Sequence, residues 1–554
     1  MRNAADWLLE ALTDQGVEVL FGNPGSTELP LIDALPRQDR IRYVLGLHEA
    51  SVMGMADGYA QQGDRLGVVN VHVQPGLANA MSGILNAARA RVPLLVTVGQ
   101  QVTELLDAAP FLGGELVALA GPIAKHASEV ATVNDLPVEL ARAVELATRH
   151  PRGPVVLSIP MDVQAGSAPD SAAGLAVLSP LPDLDAIDRA AAVMDAATAP
   201  VILAGDGVAH EHAVDLVALL AERIGAPIFG EPFAARAPIA TDHPLWRGPL
   251  PGFASEIGPL LRQYDVVFAV GMPVFRLFGS SPGTALAPGA RLIHLDSDSD
   301  EIGRVVVPEV GLAMSIAAGL AAIVDRLGAC DDVAERRLAV TLAESAGVRE
   351  AARGRLLAAA AGDGITAAAF SQAVAAVVGP KDLVVDEALT SGRWLRTALD
   401  RRDPTNWLAH RGSALGWGLP AAVGAKLADP SRRVMCLHGD GSFLFGVHAL
   451  WTAARERLGL AIVVADNSGY EILRAGLEGL TGRPEGGWPG LAITDPPIDL
   501  VAISRGFGAS AARIEHRDQL GDALRDLWLR AEEGPAVLVV PVTGRTPAVG
   551  YPLE

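Results

Sequence analysis

Short apolar runs alternate with longer segments whose apolar residues recur every three or four positions, from one end of the chain to the other. Uncharged runs of Val, Ile, Leu and Ala suit strands buried on both faces, and the amphipathic segments between them suit helices that cover those faces. The pattern predicts strands at Val17–Leu20, Gly67–Val73, Val92–Val98 and Val155–Ile159 in a first block. A second block carries Val201–Ala204, Val266–Val270 and Leu292–Leu295, and a third carries Leu383–Val385, Val434–Leu437, Ala461–Ala465 and Ala536–Val540. Helices are expected near 315–327, from Ser391 and from Val447. A linker rich in Ala, Ser, Pro and Asp runs from Gln164 to Pro182, and a polar helical connector spans 328–362. This alternation describes an α/β protein of three consecutive doubly wound parallel-sheet domains, residues 1–165, 183–327 and 363–545. Whether the first and third are copies of one fold is left open by the pattern.

Composition narrows the function. A formal charge of −20 opposes binding to nucleic acid, whose phosphates need clustered Lys and Arg. Half the residues are hydrophobic, yet no apolar run reaches the about 20 residues of a membrane span without a charge or glycine break. The first ten residues read as an acid-bearing amphipathic helix rather than a signal peptide. Two cysteines, Cys330 and Cys436, supply neither a disulfide framework nor a thiolate metal site. The expected location is a reducing cytoplasm.

The chemistry begins at Gly439-Asp440-Gly441-Ser442, followed 27 positions after the aspartate by Asn467 in Asp466-Asn467-Ser468-Gly469-Tyr470. Across one βαβ unit a carboxylate and an amide oxygen can share a hard cation, and Mg²⁺ or Ca²⁺ held so can carry a diphosphate. Glycines at the turn let backbone N–H groups approach the phosphates. Gly205-Asp206-Gly207 also follows an apolar strand, but no asparagine lies between Asn134 and Asn406 to partner it. That copy is read as a tight strand-to-helix turn.

Together with Phe21-Gly22-Asn23-Pro24-Gly25-Ser26-Thr27-Glu28-Leu29-Pro30, Leu47-His48-Glu49-Ala50 and Ala56-Asp57-Gly58-Tyr59-Ala60, the chain resembles thiamine-diphosphate-dependent enzymes. Order and spacing resemble benzoylformate decarboxylase, through Asn79-Ala80-Met81, Pro273-Val274-Phe275-Arg276, Leu415-Gly416-Trp417-Gly418 and Leu450-Trp451-Thr452. The resemblance implies a pyrimidine-binding domain, a central Rossmann-like domain and a diphosphate-binding domain, in that order. It implies thiamine diphosphate with Mg²⁺ or Ca²⁺ on Asp440, Asn467 and the main-chain carbonyl of Gly469. Glu49 would bind N1′ of the aminopyrimidine and drive loss of the C2 proton, acting on cofactor held mainly by another subunit. Leu415 would prop the bent cofactor, and the Ser413 carbonyl would accept from the 4′-amino group. Thr390, Ser391, Gly441 and Ser442 would contact the diphosphate, and Asn23, Pro24, Gly25, Asn79 and Tyr470 complete the implied cofactor set. Ser26 would position the substrate carboxylate, and His72 would shuttle protons at the carbonyl, a task suited to imidazole.

On the substrate side the pattern departs from the family. A second histidine expected shortly after Pro273-Val274-Phe275-Arg276 is replaced by Phe278, which carries no proton. His410 stands as a candidate substitute donor, and Ile472, Leu473 and Gly476 as the opposite wall of the pocket. His48 is read as structural, His210 and His212 as no zinc site, and Asp296-Ser297-Asp298-Ser299-Asp300 as a helix cap rather than a calcium loop. The implied function is 2-oxo acid decarboxylation on aromatic or branched small-molecule substrates, with carboligase side activity. The alternatives are an acetolactate-synthase-like carboligase, to which FAD would point, and a non-catalytic paralogue. A homotetramer with active sites at the dimer interface is the expected assembly.

Overall fold

The computed structural model describes residues 2–169, 183–279, 283–328, 332–399, 403–483 and 487–544. Three six-stranded sheets follow one another, and every strand pairing in them is parallel. The first contains β1 (Val19–Asn23), β2 (Arg42–Leu45), β3 (Gly67–Val71), β4 (Leu94–Gln100), β5 (His126–Glu129) and β6 (Pro154–Pro160). The second contains β7 (Pro200–Ala204), β8 (Ile228–Gly230), β9 (Trp246–Pro249), β10 (Val266–Val270), β11 (Arg291–Asp296) and β12 (Val310–Ala313). The third contains β13 (Leu383–Glu387), β14 (Trp407–Ala409), β15 (Val434–Gly439), β16 (Leu460–Asp466), β17 (Ser510–Arg513) and β18 (Pro535–Pro541).

Strand order decides where ligands can sit. The first sheet runs β2-β1-β3-β4-β6-β5 and the third runs β14-β13-β15-β16-β18-β17, the same permutation. The middle sheet runs β9-β8-β7-β10-β11-β12, the order of dinucleotide-binding folds. Crossover direction reverses near the middle of each sheet, between β1 and β3, between β7 and β10, and between β13 and β15, and in the first and third sheets it turns back again at the β5 and β17 edges. Helices leave opposite faces at the central reversals, so a crevice opens at the carboxyl ends of the strands.

All eleven expected strands form. The apolar criterion missed β8 and all six edge strands, β2, β5, β9, β12, β14 and β17. An edge strand is short and flanked by one neighbour only, so polar residues such as those of His126–Glu129 are tolerated there. Other departures are local. The strand expected over Gly67–Val73 stops at Val71, because Val73, with φ of 27°, already opens the helix Val73–Arg89. After β13 a turn replaces the helix expected from Ser391, and only Leu395–Ala398 is helical. The connector is helical over Asp332–Ala360 and packs on the middle domain, where Thr341 donates to the Gly225 carbonyl. Of the linker, residues 170–182 lie outside the described residues, as does Cys330.

The first and third domains share one apolar core, joined where the helix Glu49–Gly63 crosses the helix Gly418–Ala428. A Cβ on Gly58 would lie 2.0 Å from the Ala421 carbonyl oxygen, and one on Gly424 would lie 1.8 Å from that of Met55. Backbone contact this close leaves room for hydrogen alone. The seam explains why the first of these helices is buried along most of its length.

Candidate active site

The sequence-selected residues gather at the switch points of the first and third sheets. At the first, β1 ends on Asn23 beside Val71 of β3, and Pro24-Gly25-Ser26 and His72 follow directly. Ser26 is exposed and opens a 3-10 turn. Gly25 has no room for a side chain, since a Cβ there would lie 2.2 Å from the His72 ring. His72 does not stand alone. Its Nδ1 lies 2.9 Å from Glu28 Oε2 and 2.9 Å from Thr27 Oγ1, and Glu28 is fully buried. Glu28 also accepts from the Gly25 N–H at 2.8 Å and the Thr27 hydroxyl at 2.7 Å. A carboxylate on Nδ1 fixes the tautomer with the proton there and leaves Nε2 for other chemistry. Glu28 was passed over in the sequence because its position in the quoted motif gave no sign that it turns inward.

Glu49 begins its helix behind His48, whose Nδ1 accepts from the Ala50 N–H at 3.1 Å while its ring stacks on His448. The structural reading of His48 holds. Glu49 Oε2 accepts from Asn79 Nδ2 at 3.0 Å, and Gly76 lies against Oε1.

At the third sheet's switch point, Asp440 opens the helix Asp440–Gly446 directly after β15. One carboxylate oxygen accepts from the Gly441 N–H at 2.8 Å and the other from the Gly469 N–H at 3.0 Å. Burial, with the Asp466 carboxylate nearby, pushes its pKa up to about 6. The side-chain oxygen of Asn467 is buried without a hydrogen-bond partner. A buried carboxylate and an orphaned amide oxygen from one βαβ unit offer hard oxygen donors that fit Mg²⁺ or Ca²⁺. Among the described residues no group of three or more His, Cys, Asp or Glu side chains forms a metal cluster. This site would draw on an amide and a main-chain carbonyl. Tyr470 lays its ring over Gly441, and Ser442 Oγ donates to the Glu387 carbonyl at 3.2 Å. Thr390 and Ser391 lie in the turn after β13, with Ser391 buried.

Glu387 is a second residue that sequence reasoning missed. It is fully enclosed, and its two oxygens accept from the N–H groups of Gly416, Trp417 and Gly418 at 2.8, 3.3 and 2.8 Å. That clamp holds the turn carrying Ser413 (φ of 65°) and Leu415.

A cavity of about 1190 Å³ opens between the middle and third domains, and Phe278, His410, Ser413, Ile472, Leu473 and Gly476 all line it. Phe278 packs between Phe233 and Phe253 at ring separations of 5.9 and 5.8 Å. Burial drives the His410 pKa down to about 4, so its imidazole is neutral at pH 7. Glu49, His72 and Ser26 do not line this cavity, and among the described residues no hydrogen bond joins them to Asp440 or Asn467. The candidate residues fall into two groups, one at the switch point of the first sheet and one at that of the third.

Two residual motifs resolve here. Asp206 of the earlier Gly-Asp-Gly opens a helix at Asp206–His210, the expected strand-to-helix turn. No helix follows Asp296–Asp300, so the cap reading fails. Asp296 ends β11 and accepts instead from Arg91 of the first domain at 2.8 Å.

Comparison with known proteins closes the argument from geometry. Family models match as the N-terminal thiamine pyrophosphate binding domain over residues 2–120, the central domain over 187–323 and the C-terminal thiamine pyrophosphate binding domain over 390–540. The chain belongs to the thiamine pyrophosphate enzyme family. It is 34% identical to a benzoylformate decarboxylase of Pseudomonas aeruginosa over 96% of this chain and 97% of the relative. It is 27% identical to the acetolactate synthase isozyme 1 large subunit of Escherichia coli over 99% and 97%. Among solved structures it is similar to the thiamine diphosphate-dependent 4-hydroxybenzoylformate decarboxylase of Rhodococcus jostii, with a TM-score of 0.85 and 30% identity over 98% and 99% of the two chains. It is also similar to benzoylformate decarboxylase from Polynucleobacter necessarius, with a TM-score of 0.87 and 28% identity over 99% and 100%. No described helix is long and apolar enough to cross a membrane.

Proposed function

We propose that this protein is a thiamine-diphosphate-dependent 2-oxo acid decarboxylase for aromatic or branched substrates, with carboligase side activity. The observation that carries the reading is the cavity to which Phe278, Phe233, Ile472 and Leu473 give an apolar part, beside the segment bearing Ser413, with arginines such as Arg276 and Arg393 lining the rest. That apolar part favours an aryl or branched alkyl group. It agrees with the substrates, benzoylformate and 4-hydroxybenzoylformate, for which relatives are named.

Asp440, Asn467 and the Gly469 carbonyl would hold Mg²⁺ or Ca²⁺, and Gly441, Ser442, Thr390 and Ser391 the diphosphate. Bound thiamine diphosphate supplies a carbanion-equivalent nucleophile and an electron sink. Leu415 and the Ser413 carbonyl orient it, Tyr470 covers the Gly441 turn, and Asn23, Pro24, Gly25 and Asn79 border the pyrimidine end. Glu49 holds the proton at N1′ of the aminopyrimidine. Ser26 binds the substrate carboxylate. His72, with Nδ1 anchored by Glu28, presents Nε2 to the substrate oxygen and moves the proton that CO₂ loss calls for. His410, neutral at pH 7, orients rather than protonates. The separation of the two groups of residues within one chain supports a second subunit bringing Glu49 to the cofactor, in a homotetramer whose active sites lie at dimer interfaces. A cytoplasmic location fits such an enzyme.

One observation favours acetolactate-synthase-like carboligation as the second reading: Phe278 leaves the cavity one proton donor short. The test is proton NMR of the protein with thiamine diphosphate and Mg²⁺, given benzoylformate, phenylpyruvate, branched 2-oxo acids and pyruvate separately. Aldehyde from an aryl or branched acid is the expected product. Its rate should fall about 10²–10⁴-fold in Glu49→Gln. Acetolactate as the main product would replace the decarboxylase reading, and no turnover of any substrate would defeat both.

A further inference from the structure

Each sheet has a central switch point, and two of the three are spoken for. The third, between β7 and β10 of the middle sheet, is where a sheet of this order receives a ligand at its strand ends. Here a charge network spans the crevice, on the edge of the cavity that Glu231 and Arg411 also line. Asp206 and Glu231 point into the crevice, both buried, and Arg411 of the third domain reaches across to both. Its Nη2 donates to Glu231 Oε2 at 2.6 Å and its Nη1 donates to Asp206 Oδ2. Asp206 also accepts from the Ala235 and Arg236 N–H groups at 3.0 Å each, and its own N–H donates to Glu231 Oε1 at 2.7 Å. Beyond it, Arg91 of the first domain caps β11 through Asp296. Arginines from both flanking domains thus occupy the carboxyl edge where a dinucleotide would lie. An incoming diphosphate would have to displace Arg411 and face two carboxylates.

Arg411 stands two residues from Ser413 and four from Leu415. The same short segment is gripped at two further points. Ala414 exchanges hydrogen bonds with the Asn86 amide of the first domain, at 3.1 Å into Oδ1 and 2.9 Å from Nδ2. The N–H groups of Gly416 to Gly418 are held by Glu387 of the third domain. All three domains therefore converge on 411–418. Only the Arg411 anchor belongs to the middle domain.

We propose that Arg411 is a positioning residue: it takes the place of a ligand at the middle sheet's switch point and thereby fixes the Ser413–Leu415 segment for the cofactor. The corollary is that the middle domain binds no FAD or other dinucleotide. The role in cofactor binding rests on the proposed function. The anchoring itself does not.

The test reads hydrogen exchange of the 411–418 amides and thiamine diphosphate affinity by intrinsic tryptophan fluorescence with saturating Mg²⁺. In Arg411→Ala, exchange in this segment rises and affinity falls by about 10-fold or more, the cost usual for an outer-shell contact. Guanidinium ion added at millimolar concentration restores both. Arg411→Lys, which can reach only one of the two carboxylates, falls between. Because Arg411→Ala leaves two buried acids and can misfold, Arg411→Met is also combined with Asp206→Asn and Glu231→Gln, which leaves no unpaired charge. This triple variant should fold and show the same local loosening and weaker binding. Wild-type exchange and affinity in the triple variant would overturn the proposal, as would FAD or NAD binding by the wild-type protein. Exchange that rises everywhere in Arg411→Ala, with no rescue by guanidinium, would overturn it as well. Failure of the wild-type protein to bind thiamine diphosphate would instead defeat the proposed function, with the exchange result still reporting on the anchor.

Discussion

Two Gly-Asp-Gly turns sit at equivalent places in this molecule, each opening a helix at the switch point of its sheet. They differ in what meets the aspartate. Asp206 is answered by a guanidinium from another domain. Burial works against its charge, yet Arg411 and the backbone donors around it hold its pKa below the usual carboxylate range. Asp440 accepts from two N–H donors and has the Asp466 carboxylate nearby, and burial, with that carboxylate, raises its pKa to about 6. One turn is answered by a cation within the chain, and among the described residues no ion pair reaches the aspartate of the other. The tripeptide alone makes a strand-to-helix turn; what the fold brings to it makes the first a structural joint and, on the proposed function, the second a metal site.

This contrast can be broken in graded ways. Chelation with EDTA should strip thiamine diphosphate, and Mg²⁺ or Ca²⁺ should restore it. Asp440→Ala should weaken cofactor binding by on the order of 100-fold or more, with neither ion rescuing it. Cofactor binding indifferent to EDTA would abolish the distinction between the turns. Asp206→Ala should act on the fold instead, lowering unfolding free energy by about 3–5 kcal/mol in denaturant titrations. Its residual activity should keep the wild-type metal requirement. Asn467→Leu should cost about 10–100-fold in metal affinity by isothermal titration. It should cost little stability, because the amide oxygen it removes has no partner to lose.

The smallest effect is a pH slope at His410. Its folded pKa, about 4, lies below the usual 6.5 because of burial. The unfolded chain therefore takes up a proton as pH falls through 6.5 while the native chain stays neutral, and stability is lost on acidification toward pH 4. Buried acids such as Asp57, raised to about 6, act in the opposite direction. The readout is consequently the difference between wild type and His410→Gln. That difference should move in the variant's favour by up to about 1.4 kcal/mol per pH unit across this window. A pH-independent difference would place His410 in water.

Much of the architecture was legible beforehand, for reasons the misses make plain. Strands such as Val434–Gly439 and Leu460–Asp466 are buried on both faces, so each carries its own apolar signature. Edge strands such as His126–Glu129 carry less of one, because a single neighbour and a partly wet flank demand little of composition, and the apolar edge strand Trp407–Ala409 is too short to stand out. Asp440 and Asn467 were visible because both lie within one βαβ unit, where chain geometry ties spacing in sequence to distance in space. The turn at Ser391 carries no decisive signal, because Thr390, Ser391 and Gly392 suit a helix start and a loop equally well.

By itself, then, the sequence determined the three-sheet α/β plan and the family, since those features are encoded locally. Only the tertiary structure decided that Glu28 turns inward onto His72, 44 positions away. It alone decided that Arg411 meets Asp206 across 205 positions and that three domains grip one segment beside the cofactor site. Such contacts depend on how whole domains pack. A buried charge accepts whatever partner that packing delivers, and no local pattern names the partner in advance.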